Sequence, residues 1–261
     1  MSTAPDDAVL VRDRHDAVTV LRLNQPEARN ALSPQLMHDI GAAILESEND
    51  DTVRAVVLTG TGDAAFCAGM DLAAFSRGER MTLDDAAGDA FMRLMRGESA
   101  LPIIGAANAS AVAGGLELLL GCDVVVAAEG ARFGLPEVKR GLIPGGGGAF
   151  LAARIPLAVA LELNLTGDSI TAERAAALGL VNVVVPTTEV LSTAIALATR
   201  IAGNGPLAVT ALKELVRLAA FDSPAALRRF EELRTTVFGS EDAKEGALAF
   251  VEKRDPVWRG R

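Results

Sequence analysis

Tyrosine is absent from this chain of 261 residues, and histidine (two), cysteine (two) and tryptophan (one) are scarce. Each gap removes a class of chemistry. His15 and His38 form no H-E-x-x-H zinc motif, and no serine sits in a G-x-S-x-G turn. Cys67 and Cys122 are too few and too isolated for a disulfide framework, and no cysteines are paired as metal ligands. No apolar run reaches ~18 residues without a charge, and the acidic opening "MSTAPDDAVL" has no secretory-signal pattern. A soluble, cytoplasmic protein with no membrane partner is expected. The formal charge of −9 repels phosphate backbones, so no nucleic-acid partner is expected either. Acid–base work falls to carboxylates or lysines.

What is present is a chain that is 50% hydrophobic, long enough for one large domain or a domain with an appendage. "AVLVRDRHDAVTVLRLN" reads as a β-hairpin turning at the polar "RDRHD". "SPQLMHDIGAAILESEN" reads as a helix with Ser33 as N-cap, Pro34 at its first position and apolar residues 36, 37, 40, 44 and 45 at helical spacing. Strand-like runs at "VRAVVLTG", "LPIIGAAN", "CDVVVAA" and "GLVNVVVP" alternate with helical patterns, giving an α/β class. From about residue 187 the strands stop, and segments 187–202, 206–220, 224–237 and 241–253 are helical by pattern, broken at "GNGP", "FDSP" and "FGSE". The expected organisation is a flexible N-terminus at 1–8, a core carrying the active site at 9–195, and a helical region at 196–261 suited to oligomerisation or to forming a lid.

Glycine-rich loops supply the next clue. "TGTGDAAF" follows a strand as G-x-G-x-x-A, but Gly69 interrupts before a helix could open, so a dinucleotide site fails on context. "LIPGGGGAF" lacks the Lys-Ser/Thr ending of a phosphate-binding Walker loop. "FCAGMDL" (66–72) and "VAGGLEL" (112–118) remain, the first turning after a strand and the second opening a helix. Backbone N–H groups left free at such places can converge on one point as an oxyanion hole, where losing one donor typically costs ~3 kcal/mol. The bland alternative for each is close backbone packing at a turn.

Glu117 stands in the middle of "SAVAGGLELLLGCDVVVAA", among Leu116, Leu118, Leu119 and Leu120. A helix starting near Gly114 puts Glu117 in the first turn, where the dipole favours an anion, and capping is the structural reading. Leucines on nearly every side imply burial, which is costly for a carboxylate without a partner, and this favours a functional role. Glu137 follows Pro136 at a second predicted helix start in "ARFGLPEVKRGLIPGGGG".

The blocks "NQPEARNALS" (24–33), "AAFCAGMDL" (64–72), "AVAGGLELLLGCDVVVAAEGARFGLPEVKRGLIPGGGG" (111–148), "LTGDSITAERAAALGLVNVVVP" (165–186) and "EGALAFVEKRDPVW" (245–258) resemble the enoyl-CoA hydratase/isomerase (crotonase) family. They stand in the family's order and span nearly the whole chain. The resemblance implies a spiral of ββα units followed by C-terminal helices that build homotrimers, commonly paired into hexamers. It implies oxyanion donors at Met70 and Gly114, and catalytic glutamates at Glu117 and Glu137, as in the true hydratases. It also implies acyl-CoA contacts at Ala28, Arg29, Ala68, Asp71 and Gly145, with Phe250 and Lys253 touching the nucleotide end, often from another subunit. Two departures stand out: Ala113-Gly114-Gly115 where many hydratases have three glycines, and "AAFSRGERMTLDDAAGDAFMRLM" (73–95), near the acyl pocket, which follows no pattern convertible into chain length.

The implied chemistry is reversible addition of water to a trans-2-enoyl-CoA. The amides hold the thioester oxygen as it gains charge, with Glu117 favoured as base and Glu137 as acid. No metal or redox cofactor is required, coenzyme A being part of the substrate. The rivals are a Δ3,Δ2-enoyl-CoA isomerase, which needs one carboxylate, and a non-catalytic acyl-CoA-binding relative.

Overall fold

A computed structural model describes residues 8–79 and 84–261. The N-terminal segment expected to be flexible thus lies, apart from Ala8, outside the described residues.

In chain order the elements are β1 (Leu10–His15), β2 (Val18–Leu23), α1 (Pro34–Glu48), β3 (Ala55–Gly60), α2 (Leu72–Ser76), α3 (Ala86–Arg96) and β4 (Ile103–Ala107). Then come β5 (Ala111–Val112), α4 (Gly114–Gly121), β6 (Val124–Ala128), β7 (Arg132–Gly134), α5 (Leu157–Thr166), β8 (Ser169–Thr171), α6 (Ala172–Ala177) and β9 (Val183–Val185). The helices α7 (Val190–Ala202), α8 (Pro206–Phe221), α9 (Ser223–Gly239) and α10 (Glu241–Glu252) close the chain. Short 3-10 turns cover Pro26–Ala28, Pro136–Arg140, Gly147–Ala153 and Thr187–Glu189.

Two sheets result. The larger runs β1-β2-β3-β4-β6-β9, antiparallel at β1/β2 and parallel thereafter. The smaller runs β5-β7-β8, so the chain leaves the large sheet after β4, contributes β5 to the small one, and returns through α4 to β6. Every residue of β3 and β4 is buried, as strands covered on both faces must be, which is why they read as continuous apolar runs rather than alternating ones. Helix α7 packs across β3, β4 and β6, while α1 packs on α3. Ser33 caps α1 as its sequence predicts, its hydroxyl accepting from the Leu36 amide at 3.2 Å, with Pro34 next.

One expectation is corrected. The polar run in "RDRHD" is not the hairpin turn: β1 extends through His15, and the turn is Asp16–Ala17, with Asp16 at φ 50°. β1 is an edge strand, so its charges cost nothing in an unpaired position and serve as partners, Arg12 to Glu46 and Arg14 to Thr52. The helical tail follows its predicted breaks, with Asp222 and Ser240 capping α9 and α10. Residues 195 and 196, where the expected division lies, both belong to α7, which packs on β3, β4 and β6.

α8 is fastened to the core by charge. Asp123, the residue just before β6, receives Lys213 at 2.8 Å and Arg217 at 2.8 Å, while Arg217 also donates to the Gly121 and Cys122 carbonyls. Burial lowers the Lys213 pKa, opposed by the Asp123 charge beside it. Among the described residues no single helix is long and apolar enough to cross a membrane.

Candidate active site

Two backbone segments meet where the small sheet hands over to α4. Ala113, between β5 and α4, has φ 51° and ψ −131°, a conformation rarely adopted by a residue with a side chain and worth roughly 1–3 kcal/mol of strain. Its amide donates to the Gly134 carbonyl at 2.9 Å, and the bend turns the following amide, that of Gly114, out of the small sheet. Opposite lies the loop 67–71. There Leu32 donates to the Gly69 carbonyl at 2.7 Å and accepts from the Asp71 amide at 3.2 Å, so Met70 is stapled on both flanks.

Neither the Met70 nor the Gly114 amide donates to another protein group among the described residues. They are neighbours: a β-carbon built on Gly114 would stand 3.7 Å from the Met70 nitrogen and 3.6 Å from the Gly69 α-carbon. Gly69 at φ 89° and Gly115, whose β-carbon would fall 2.2 Å from the Cys67 carbonyl oxygen, let the helix start press against the loop. Two unpaired N–H groups, one at the positive end of a helix, can stabilise an oxygen that gains negative charge.

Glu117 lies one turn into α4, 3% exposed. Its Oε1 accepts from the amides of Gly146 at 2.7 Å and Gly148 at 2.9 Å, which answers the cost of burying it. Glu137 sits in the 3-10 turn that follows β7, half-buried, with its Oε2 enclosed and without a protein partner among the described residues. Burial first, and the Glu117 charge in addition, push the Glu137 pKa up; its own backbone amide and Arg140 oppose this only in part. The turn is tied down by Lys139, which reaches Asp168 at 2.6 Å, and by the Leu142 amide bonding the Glu137 carbonyl at 3.1 Å. The structure therefore brings Met70, Gly114, Glu117 and Glu137 into one neighbourhood.

Ala28 and Arg29 close the 3-10 turn after β2, and the Ala68 amide donates to the Arg29 carbonyl at 3.0 Å. Asp71 caps α2 through its Oδ1. These four residues therefore line the same paired segments that carry Met70. Gly145 directly precedes Gly146, and a β-carbon there would meet nothing within 4 Å. Phe250, 86% exposed, and Lys253 lie at the far end of α10, which packs mainly on α9; this chain alone does not join them to the other site residues.

Sequence reasoning missed Gly146 and Gly148 as the donors to Glu117. The signal was available: a buried carboxylate needs amides that can approach closely, and "GGGG" is the stretch that offers them. It also missed Asn30, whose fully buried side chain accepts from the Gln25 amide at 3.0 Å and donates to the Thr61 and Ala65 carbonyls at 3.0 and 2.9 Å.

Comparison with known proteins gives the family and the fold. The sequence model of the family described as Enoyl-CoA hydratase/isomerase matches residues 13–261. The chain is 39% identical to "Enoyl-CoA hydratase EchA19" of Mycobacterium tuberculosis, over 98% of this chain and 97% of that protein. It is 38% identical to "Carnitinyl-CoA dehydratase" of Proteus mirabilis, over 94% and 96% of the two. A crystal structure of enoyl-CoA hydratase from Mycobacterium tuberculosis H37Rv superposes with a TM-score of 0.89 at 42% identity, covering 97% of this chain and 99% of that one.

Proposed function

The chain belongs to the enoyl-CoA hydratase/isomerase family, and from that premise we propose that it adds water reversibly across the double bond of a trans-2-enoyl-CoA, giving a 3-hydroxyacyl-CoA. The observation that carries the reading is the pair of unequal carboxylates beside two unpaired amides. Water adds to C3 as the C2–C3 π electrons move toward the thioester carbonyl, whose oxygen takes the charge against the Met70 and Gly114 N–H groups. With Oε1 of Glu117 engaged by Gly146 and Gly148, its other oxygen is free to orient water and take its proton. Glu137, whose pKa burial pushes up, delivers a proton to C2. The proton taken by Glu117 then returns to Glu137 by way of water, which restores both carboxyls and leaves one water added as the net change; no metal or redox cofactor is needed.

Two glutamates support hydration over double-bond isomerisation, for which one suffices. Elimination of water from carnitinyl-CoA is the same chemistry in reverse on a cationic acyl group, and the identity to such a relative keeps it as the second substrate. Exposed Leu157, Leu161 and Leu165 along α5, with Phe221, Leu227, Phe238 and Phe250 on the tail, support a homotrimer or hexamer, in which Phe250 and Lys253 reach a neighbour's CoA. The test is a panel of enoyl-CoA thioesters from short to steroid-sized, with carnitinyl-CoA added, followed by product analysis. Formation of 3-hydroxyacyl-CoA with a measurable kcat/KM is expected; a shifted double bond as the sole product would replace hydratase with isomerase.

A further inference from the structure

Asn30 serves no reaction step above, yet it is fully buried and sits at φ 53°, a left-handed conformation that asparagine tolerates better than most residues. Its side chain makes three bonds to three separate pieces of backbone. Oδ1 holds the Gln25 amide at 3.0 Å and so closes the turn that contains Ala28 and Arg29. Nδ2 reaches across to the Thr61 carbonyl at 3.0 Å and the Ala65 carbonyl at 2.9 Å, the two ends of the loop that runs from β3 to Cys67. Beyond Asn30 the backbone continues the joint: Ala68 donates to Arg29, Leu32 donates to Gly69, and Asp71 donates to Leu32. Among the described residues the Met70 amide donates to no protein group, so its direction is set by this frame.

We propose that Asn30 is a positioning residue for the Met70 amide. Its carboxamide locks residues 25–32 to the 61–66 loop, and residues 29–32 in turn fix the register of 68–71. The role needs one acceptor and two donors on one short side chain, the complement of an asparagine and of no carboxylate. An unbonded donor aimed at a developing charge is valuable only while its direction is fixed, so loosening the frame weakens the hold on the oxyanion more than the hold on a neutral ligand. The inference rests on the reading of Met70 and Gly114 as oxyanion donors.

The test compares two ligands and three variants. A 3-ketoacyl-CoA binds an oxyanion hole as its enolate, which is followed by its absorbance; a saturated acyl-CoA of equal length carries no such charge. Asn30→Asp keeps shape and acceptor but turns both donor positions into oxygen facing carbonyls. Asn30→Gly keeps the left-handed backbone without the side chain, and reports on the role if the aspartate variant does not fold. Asn108→Ala is the control, since Asn108 ties the Gly60 amide and the Gly62 carbonyl at 3.1 and 2.7 Å and, among the described residues, makes no hydrogen bond to residues 25–32. We expect an Asn30 variant to lose about tenfold or more in enolate affinity relative to the saturated ligand, a matching fall in kcat, and a smaller change in KM. Asn108→Ala should keep the wild-type ratio. If the wild-type protein turns over enoyl-CoA thioesters but folded Asn30 variants lose both ligands in parallel, or neither, the role of Asn30 is overturned and the hydratase reading stands. A wild-type protein with no turnover and no enolate signal overturns both.

Discussion

The first turn of α4 and the turn at Pro136–Arg140 are built alike and behave differently. Each follows a strand of the small sheet, and each carries one glutamate near its start. Glu117 is almost fully buried, yet one of its oxygens is saturated by two glycine amides. Glu137 is only half-buried, yet one of its oxygens has no protein partner among the described residues and its pKa is pushed up. Depth of burial alone therefore does not say which carboxylate finds partners. The supply of backbone donors makes the two carboxylates inequivalent, and inequivalence is what a reaction needing one base and one acid requires.

The strongest way to break this comparison is to remove each proton carrier in turn. In Glu117→Gln the amide oxygen can still accept from Gly146 and Gly148, so the fold is retained while proton transfer is lost. A fall in kcat of about 10²–10⁴ is expected, with a comparable loss for Glu137→Gln. Steady-state hydration assays with far-ultraviolet circular dichroism as the folding check decide it. Near wild-type turnover in both variants would remove the glutamates from the mechanism. Loss in Glu117→Gln alone would make Glu137 a bystander and favour one-base chemistry.

Neighbouring glycines sharpen the same region. A β-carbon on Gly115 would lie 2.2 Å from the Cys67 carbonyl oxygen, which is backbone and cannot move aside cheaply. One on Gly114 would first meet Leu32 Cδ1 at 3.0 Å, the far end of a flexible side chain, but would also intrude beside the Met70 nitrogen. Gly115→Ala should therefore destabilise by at least the ~1–3 kcal/mol usual for overpacking. Gly114→Ala should stay folded and lose about 10²-fold in kcat/KM, the scale of one displaced oxyanion donor. Denaturant melts and kinetics on both proteins test this; an active Gly114→Ala protein would undo the assignment of the hole.

Much of this was legible before any coordinates. The start of α4 at Gly114, the cap at Ser33 and the four C-terminal helices follow from glycine, capping residues and apolar spacing, all local signals. The family blocks brought Met70, Gly114, Glu117 and Glu137 together although periodicity alone could not. What stayed hidden was long-range: that Gly146 and Gly148 feed Glu117 across about thirty residues of chain, and that Asn30 reaches Thr61 and Ala65. Such pairings depend on how separate segments stack, and neither composition nor period encodes the partner. The misplaced hairpin turn has the opposite cause. A charged run reads as a turn in isolation, and only its place at the sheet edge makes it a strand.

The smallest expected effect tests the electrostatic half of the comparison. A carboxyl whose pKa is raised on folding binds its proton more tightly in the folded chain than in the unfolded one, where the value is about 4.3. Below that value both states are protonated and the folded state has the full benefit of the neutral group. As pH rises through the higher folded value that benefit is lost, because the folded chain must then ionise a carboxyl that is poorly solvated and near Glu117. Glutamine cannot ionise and escapes the loss. Thermal melts of wild type and Glu137→Gln should therefore diverge with increasing pH, the variant gaining on wild type as pH rises from the ordinary glutamate value toward neutrality. Partial exposure keeps the gain small. A gap that is constant across this range would mean that Glu137 titrates alike in both states, and one that narrows would mean that the folded site prefers the charged form; either would remove the basis for making Glu137 the acid.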